Sequence, residues 1–280
     1  MSDRPIVLLH GFYHGSWAWA DVVVALAARG RAAVAVDMAA HGLHAVRPAS
    51  ADARPFDQEA FATEPSPVAD VGLDAAADLL IAQLRRAGGG RPVSVVAHSM
   101  GGAVLTRAAE KAPALVAHLL YLSAYMPAST TPCVTYPSLP EGSDNRFMRL
   151  LVGDPAAIGA LRVDPGDPDP RVQAGIREAF YGGVEESRAA AAIALLTCDA
   201  PLKLVVESTE LTVSGWGSIP RTYVLCELDR TIPIALQELF VAQADAAFPE
   251  NPTVVVRLAE AHSAMLSAPD RVAEVIASLP

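Results

Sequence analysis

Residues 93–98 read VSVVAH, apolar on both faces of any strand they form, and the chain passes through Ser99 and Met100 straight into Gly101 and Gly102, which open an apolar helical pattern. A strand that is apolar on both sides has to be covered on both sides, the situation of a parallel sheet held between two layers of helices. The same alternation recurs along the chain. PIVLL at 5–9 and RAAVAVDM at 31–38 read as buried strands. Between them a helical pattern starts at Ser16, a candidate N-cap, places Trp19, Val23, Leu26 and Ala27 on one face, and closes at Gly30. Leu73, Ala76, Ala77, Leu80 and Leu84 mark a further helix, and HLLYLSAY at 118–125 a further strand. RTYVLCE at 221–227, a helix near 234–246, a strand at 253–258 and a helix from about 268 complete the series. The expected fold class is therefore α/β, with a mostly parallel central sheet and helices on both faces.

Two stretches interrupt the rhythm. Residues 44–70 are rich in Pro, Asp, Ala and Ser without periodicity and read as a long loop, either a mobile surface excursion or an active-site rim. Residues 127–218 hold helical patches, such as Arg171 to Leu196, between Pro and Gly clusters like VDPGDPDP, with no strand-like run. The expectation is one core built from residues 1–126 and 219–280, with 127–218 inserted as a helical cap.

A hydrophobic content of 52% and a mean hydropathy of +0.30 invite a membrane reading, but no apolar run approaches the roughly 20 residues a spanning helix needs. The N-terminal MSDRPIVLLH has no basic leader or cleavage site, so the expected location is cytoplasmic. A net charge of -10 and a pI near 5.1 argue against nucleic acid and anionic membrane surfaces as partners, since both demand a basic footprint. Cys133, Cys198 and Cys226 are odd in number and widely spaced, which supports buried free thiols over a disulfide framework or a metal site. No cofactor is expected. A homodimer through the cap or the sheet edge stays open, with no residue pattern for it.

The strand–Ser99–helix arrangement is where chemistry enters. A tight turn there lifts the hydroxyl above the sheet and aims a helix N-terminus at it. Small residues are needed two before and two after the serine; here they are Ala97 and Gly101, so alanine replaces the first glycine of G-x-S-x-G. A serine hydroxyl needs a base. Of seven histidines, His262 lies in the loop between the last strand and the last helix, where the chain order serine, acid, histidine places the base. Asp229, just past the end of the 221–227 strand, is the acid that would orient it; Glu227 competes but belongs to the strand itself. Backbone amides of Met100 and of Phe12, in the H-G-F turn after the first strand, are the candidate oxyanion donors, with Gly11 allowing close approach. His14 reads as a residue that fixes this loop. Tyr125, Met126 and Trp216 are candidates for pocket lining and are equally compatible with a core role.

HGFYHGSWAW, VDMAAHG, VVAHSMGGAV, SAYMP, GWGSIPRTYVLCELDRTIPIALQ and AHSAML, in this order and spacing, resemble the α/β-hydrolases that include plant methylesterases, hydroxynitrile lyases and bacterial esterases. The resemblance runs from about residue 5 to 279, and is weak in 44–70 and loose within 127–218. It implies Ser99, Asp229 and His262 as a triad and a small helical cap over an apolar pocket. The lyases of that family carry a threonine at the position matching Gly11 and a lysine just after the catalytic histidine, where this chain has Ser263. An esterase acting on a small or medium apolar or aromatic ester, such as a methyl ester or a secondary-metabolite intermediate, is therefore the expected function. A lactonase or cofactor-free lyase using the same site, and a ligand-binding protein of the same fold without turnover, are the alternatives.

Overall fold

The computed structural model describes residues 5–279. In chain order it comprises β1 (Ile6–Leu9), α1 (Ala20–Ala28), β2 (Ala33–Val36), α2 (Ala49–Asp52), α3 (Gln58–Thr63), α4 (Leu73–Gly88), β3 (Val93–Ser99), α5 (Gly101–Lys111) and β4 (Val116–Ala124). There follow α6 (Pro155–Ile158), β5 (Ala160–Arg162), α7 (Pro170–Phe180), α8 (Glu186–Ala194), β6 (Asp199–Pro201) and α9 (Lys203–Val206). The chain ends with β7 (Arg221–Cys226), α10 (Ile234–Ala247), β8 (Val254–Leu258), α11 (Ala264–Ser267) and α12 (Pro269–Ala277).

Six strands form one parallel sheet in the order β2-β1-β3-β4-β7-β8. β3 is buried at every position and β4 at all but one, as strands covered by helices on both faces must be. α1 packs against α12, and α4 against α5. The two edge strands depart from the expectation of uniformly buried strands: β2 is mostly half-buried, and Val254 and Val255 of β8 are exposed, because an edge strand has a helix-covered neighbour on one side only. Ser16 is not the N-cap of α1 that its position suggests. It opens a single 3-10 turn, Ser16–Trp19, ahead of α1 and does not cap with its side chain; its amide donates to Asp37 Oδ1 at 2.6 Å.

All six sheet strands come from residues 6–124 and 221–258, and the segment between them adds none. That segment holds helices α6 to α9, but it also contains β5 and β6, paired antiparallel as a short ribbon that the sequence reading did not foresee. Three-residue strands carry too little alternation to register as a pattern. The ribbon is tied by an ion pair with both side chains fully buried, Arg162 Nε and Nη2 donating to Asp199 Oδ1 and Oδ2 at 2.6 and 2.7 Å.

The 44–70 stretch, read from sequence as a long loop, holds the short helices α2 and α3 and contributes no residue to the cavity lining, and Arg162 fastens it. Its Nη1 donates to the carbonyl oxygens of Phe61 and, at 2.9 Å, Glu64. Phe61 is buried with Ala51 and Cys198, and the Glu64 carboxylate accepts the amides of Ala49 and Ser50. The stretch is thus folded into short helices and fastened to the ribbon. Among the described residues no helix is long and apolar enough to cross a membrane.

Removing one partner of a buried pair leaves the other charge desolvated and unpaired. Arg162→Ala is expected to lower unfolding free energy in urea by about 3–5 kcal/mol. Arg257→Ala, which breaks exposed pairs with Glu227 and Glu238, should cost no more than about 1 kcal/mol. Equal shifts for the two variants would show that the ribbon does not depend on its ion pair.

Candidate active site

Four loops at the C-terminal edge of the parallel sheet converge, where ligands of such sheets bind. They follow β1, β3, β7 and β8 and carry, respectively, His10 to Gly15, Met100 directly after Ser99 at the end of β3, Asp229, and His262. Ser99 has φ 54°, a left-handed conformation that L-residues adopt only when their surroundings compel it. The compulsion is visible. Tyr125 N donates to the Ser99 carbonyl at 2.9 Å, and a side chain at Gly101 would strike the His10 carbonyl, so α5 can start only with glycine there. Gly11 is equally constrained: a Cβ on it would lie 2.5 Å from Ser99 Cβ.

His262 Nε2 lies 3.1 Å from Ser99 Oγ, and its Nδ1 lies 2.7 Å from Asp229 Oδ2. The carboxylate requires a proton on Nδ1, which leaves the Nε2 lone pair facing the serine hydroxyl. Asp229 is itself held on all sides. Its Oδ1 accepts the amides of Thr231 at 2.6 Å and Ile232 at 2.9 Å, and the Ser123 hydroxyl donates to Oδ2. Ser123, at the end of β4 with φ 39°, was not singled out from sequence; a serine in the strand-end segment SAY is the one local hint. Glu227 is exposed and pairs with Arg257, outside the site.

A cavity of about 60 Å³ opens over Ser99 and His262. Phe12, Tyr13, His14 and Met100 line its base, and Phe147, Leu161 and Phe180 of the inserted segment cover it. Val134 and Met148, both more than two-fifths exposed, form part of its lining toward the outside. Its lining contains no Lys, Arg, Asp or Glu, and no residue of 44–70.

Of the residues expected to line a pocket, Tyr125 does so. Met126 is fully buried in the core, away from the cavity. Trp216 is likewise a core residue: its Nε1 donates to Tyr121 Oη at 2.7 Å and the Arg221 guanidinium lies 4.3 Å over its ring. The Trp-Gly-Ser-Ile-Pro-Arg run therefore builds a buried cation–π stack and not the cavity lining. Phe147, Leu161 and Phe180 went unmarked in the sequence because they enter from a segment whose position over the sheet no local pattern encodes.

The model of the alpha/beta hydrolase family matches residues 6–275. The chain belongs to this family. Among its relatives, esterase PIR7B of Oryza sativa subsp. japonica is 36% identical over 126 residues, 45% of this chain and 40% of that one, so the match spans less than half of the rice protein. Methylesterase 9 of Arabidopsis thaliana is 24% identical over 250 residues, 85% of each chain. Of solved structures, a pyrethroid hydrolase from Sphingobium faniae JZ-2 is similar at a TM-score of 0.74 and 24% identity, covering 98% of this chain and 96% of that one. Polyneuridine aldehyde esterase is similar at 0.73 and 20% identity, covering 98% of each.

This α/β hydrolase surrounds its site with buried imidazoles. His14 donates from Nδ1 to the Phe12 carbonyl at 2.7 Å and accepts the Tyr181 hydroxyl on Nε2 at 2.9 Å. His41 stacks on the Phe12 ring with centroids 5.3 Å apart and bonds the Ala39 carbonyl through Nδ1. Both therefore brace the loop that carries Phe12. His98 lies with its ring centroid 4.5 Å from that of His262 and donates from Nε2 to the His262 carbonyl. Burial pushes His14 and His41 down to about 3 and His98 well below 6.5, so all three stay neutral at neutral pH.

A histidine whose pKa is lower folded than unfolded takes up a proton on unfolding whenever the pH lies between the two values. The stabilisation it gives by staying neutral is complete above about 6.5 and is lost as pH falls toward 3. Calorimetric melting at pH 5 should therefore show uptake of about three protons, one each by His14, His41 and His98, and a Tm that drops between pH 6.5 and 4. In His41→Phe the Tm should fall less steeply over that range. An unchanged slope would show that His41 is charged in the folded protein.

Proposed function

We propose that this α/β hydrolase is a serine carboxylesterase that cleaves small or medium, uncharged, apolar or aromatic esters through an acyl-enzyme. The observation that carries the proposal is the relay Ser99 Oγ, His262 Nε2 and Nδ1, Asp229 Oδ2, with gaps of 3.1 and 2.7 Å, opening on a cavity without charged lining other than His262 when protonated. The names of its esterase and methylesterase relatives point the same way.

In this mechanism His262 Nε2 takes the Ser99 proton as Oγ attacks the ester carbonyl. The amides of Phe12 and Met100 hold the oxyanion, fixed before the reaction begins. Asp229 stabilises the imidazolium, and Ser123 and the Thr231 and Ile232 amides keep that carboxylate oriented. His262 then passes its proton to the leaving alcohol, and a water, deprotonated by the same ring, releases the acid. Residues 127–218 act as the cap: Phe147, Leu161 and Phe180 shield the reaction from bulk water and bind the apolar part of the ester. A negatively charged ester would find no cation in the wall to replace its lost hydration.

The test is hydrolysis of p-nitrophenyl acetate and butyrate and of aryl methyl esters by wild type and Ser99→Ala. Loss of a triad nucleophile should cut turnover by about a thousandfold or more. A fluorophosphonate should label Ser99 in the wild type. Equal activity in the two proteins, or no activity and no label in either, would overturn the proposal.

A further inference from the structure

The six tyrosines of the chain all lie within the described residues, and five of them have committed hydroxyls. Tyr13 donates to the Leu161 carbonyl at 3.0 Å, Tyr121 bonds Thr106 and Trp216, and Tyr136 donates to Gln243 Oε1. Tyr181 bonds His14 and Tyr223 donates to the Ala124 carbonyl. Tyr125 is the exception. Among the described residues its hydroxyl has no protein partner, yet it is not one of the sealed polar atoms that lack one, so it keeps contact with open space. That space is the cavity over Ser99, because Tyr125 lines it and is otherwise buried.

The remaining polar side chains of the cavity wall are already used. Thr231 Oγ1 donates to the Ala179 carbonyl at 2.6 Å, Tyr13 is bonded as above, and both ring nitrogens of His14 are engaged. Cys133 offers only a weak thiol donor. Apart from Ser99, His262 and the oxyanion amides, the apolar wall thus presents one strong free donor. Burial drives the Tyr125 phenol well above its ordinary 10, so it is protonated at every working pH. A polar group left unpaired in an apolar pocket costs free energy that a ligand acceptor recovers, and a site built this way rejects the analogue lacking the acceptor.

We propose that Tyr125 is a specificity-determining residue whose hydroxyl donates to a second oxygen of the substrate, beyond the ester group, so that the preferred substrates are neutral esters bearing an ether or keto oxygen. This rests on the esterase reading above. The phenol of Tyr125 would donate to that substrate oxygen, while Phe147, Leu161 and Phe180 accommodate the apolar remainder.

Matched esters that exchange one CH2 for oxygen isolate the effect. Phenyl methoxyacetate against phenyl butyrate probes the acyl side, and 2-methoxyethyl benzoate against butyl benzoate the alcohol side. Comparing the ratio of kcat/KM within each pair between wild type and Tyr125→Phe cancels intrinsic reactivity, and the phenylalanine keeps the ring packing. In at least one pair the oxygenated ester should lose about fivefold to tenfold in Tyr125→Phe, the net worth of one neutral hydrogen bond, with its hydrocarbon partner unchanged. If both members of both pairs change alike, or none changes, Tyr125 only packs and the inference is overturned. Calorimetric binding of the same esters to Ser99→Ala and to Ser99→Ala/Tyr125→Phe separates the two readings. A tyrosine-dependent preference in binding without any serine-dependent hydrolysis would leave this inference standing and remove the esterase, whereas hydrolysis without the preference would do the reverse.

Discussion

The geometry of the site depends on the backbone of Ser99 being held at φ 54° between β3 and α5. That conformation is costly for a residue with a side chain, by about 1–3 kcal/mol, and persists only because neighbouring elements leave it no alternative. β3 lies between β1 and β4 at the centre of the sheet, α5 starts on two glycines that fit beneath the His10 and Tyr125 carbonyls, and Gly11 leaves just enough room for the serine Cβ. The price is met by the most deeply buried strands of the molecule, so the hydroxyl is presented by its least deformable part. Ala97 in place of glycine two residues earlier is accommodated because it lies within β3, paired to both neighbouring strands and not in the turn.

Electrostatics at the site follow from burial. Asp229 lies out of water, where two amides and the Ser123 hydroxyl replace its hydration, and its remaining interaction is with His262. His14, His41 and His98 have no carboxylate partner of this kind, and burial keeps all three neutral. Similar rings thus serve different ends. One faces a carboxylate and a hydroxyl; the others act as rigid, polar-tipped spacers that hold the Phe12 loop and the His262 backbone in place.

The inserted segment has its own logic. It is small, it contributes no strand to the main sheet, and its ribbon is fastened by Arg162 and Asp199, a pair whose desolvation is offset by two short charge-assisted hydrogen bonds and by the Phe61 and Glu64 carbonyls. This anchoring reaches across to residues 49–64, so the stretch that reads as a loose loop is a buttress for the wall of the cavity and not part of its lining.

The alternation of apolar strands and helices, the tight turn at Ser99 and the order of serine, aspartate and histidine are local or near-local patterns, and the sequence by itself determined the parallel sheet, its helical layers and the loops from which the site is assembled. It did not determine which strands would be edges, since the apolar residues of β2 and β8 are of the same kinds as those of their covered neighbours. Nor did it reveal Ser123, the β5–β6 ribbon, or the removal of Met126 and Trp216 from the cavity. Those were decided by tertiary packing, because a hydroxyl, a three-residue strand or an aromatic ring takes its role from what lies opposite it in space. Residues separated by more than a hundred positions, such as Ser123 and Asp229 or Arg162 and Phe61, meet only once the sheet is closed and the inserted segment is docked upon it.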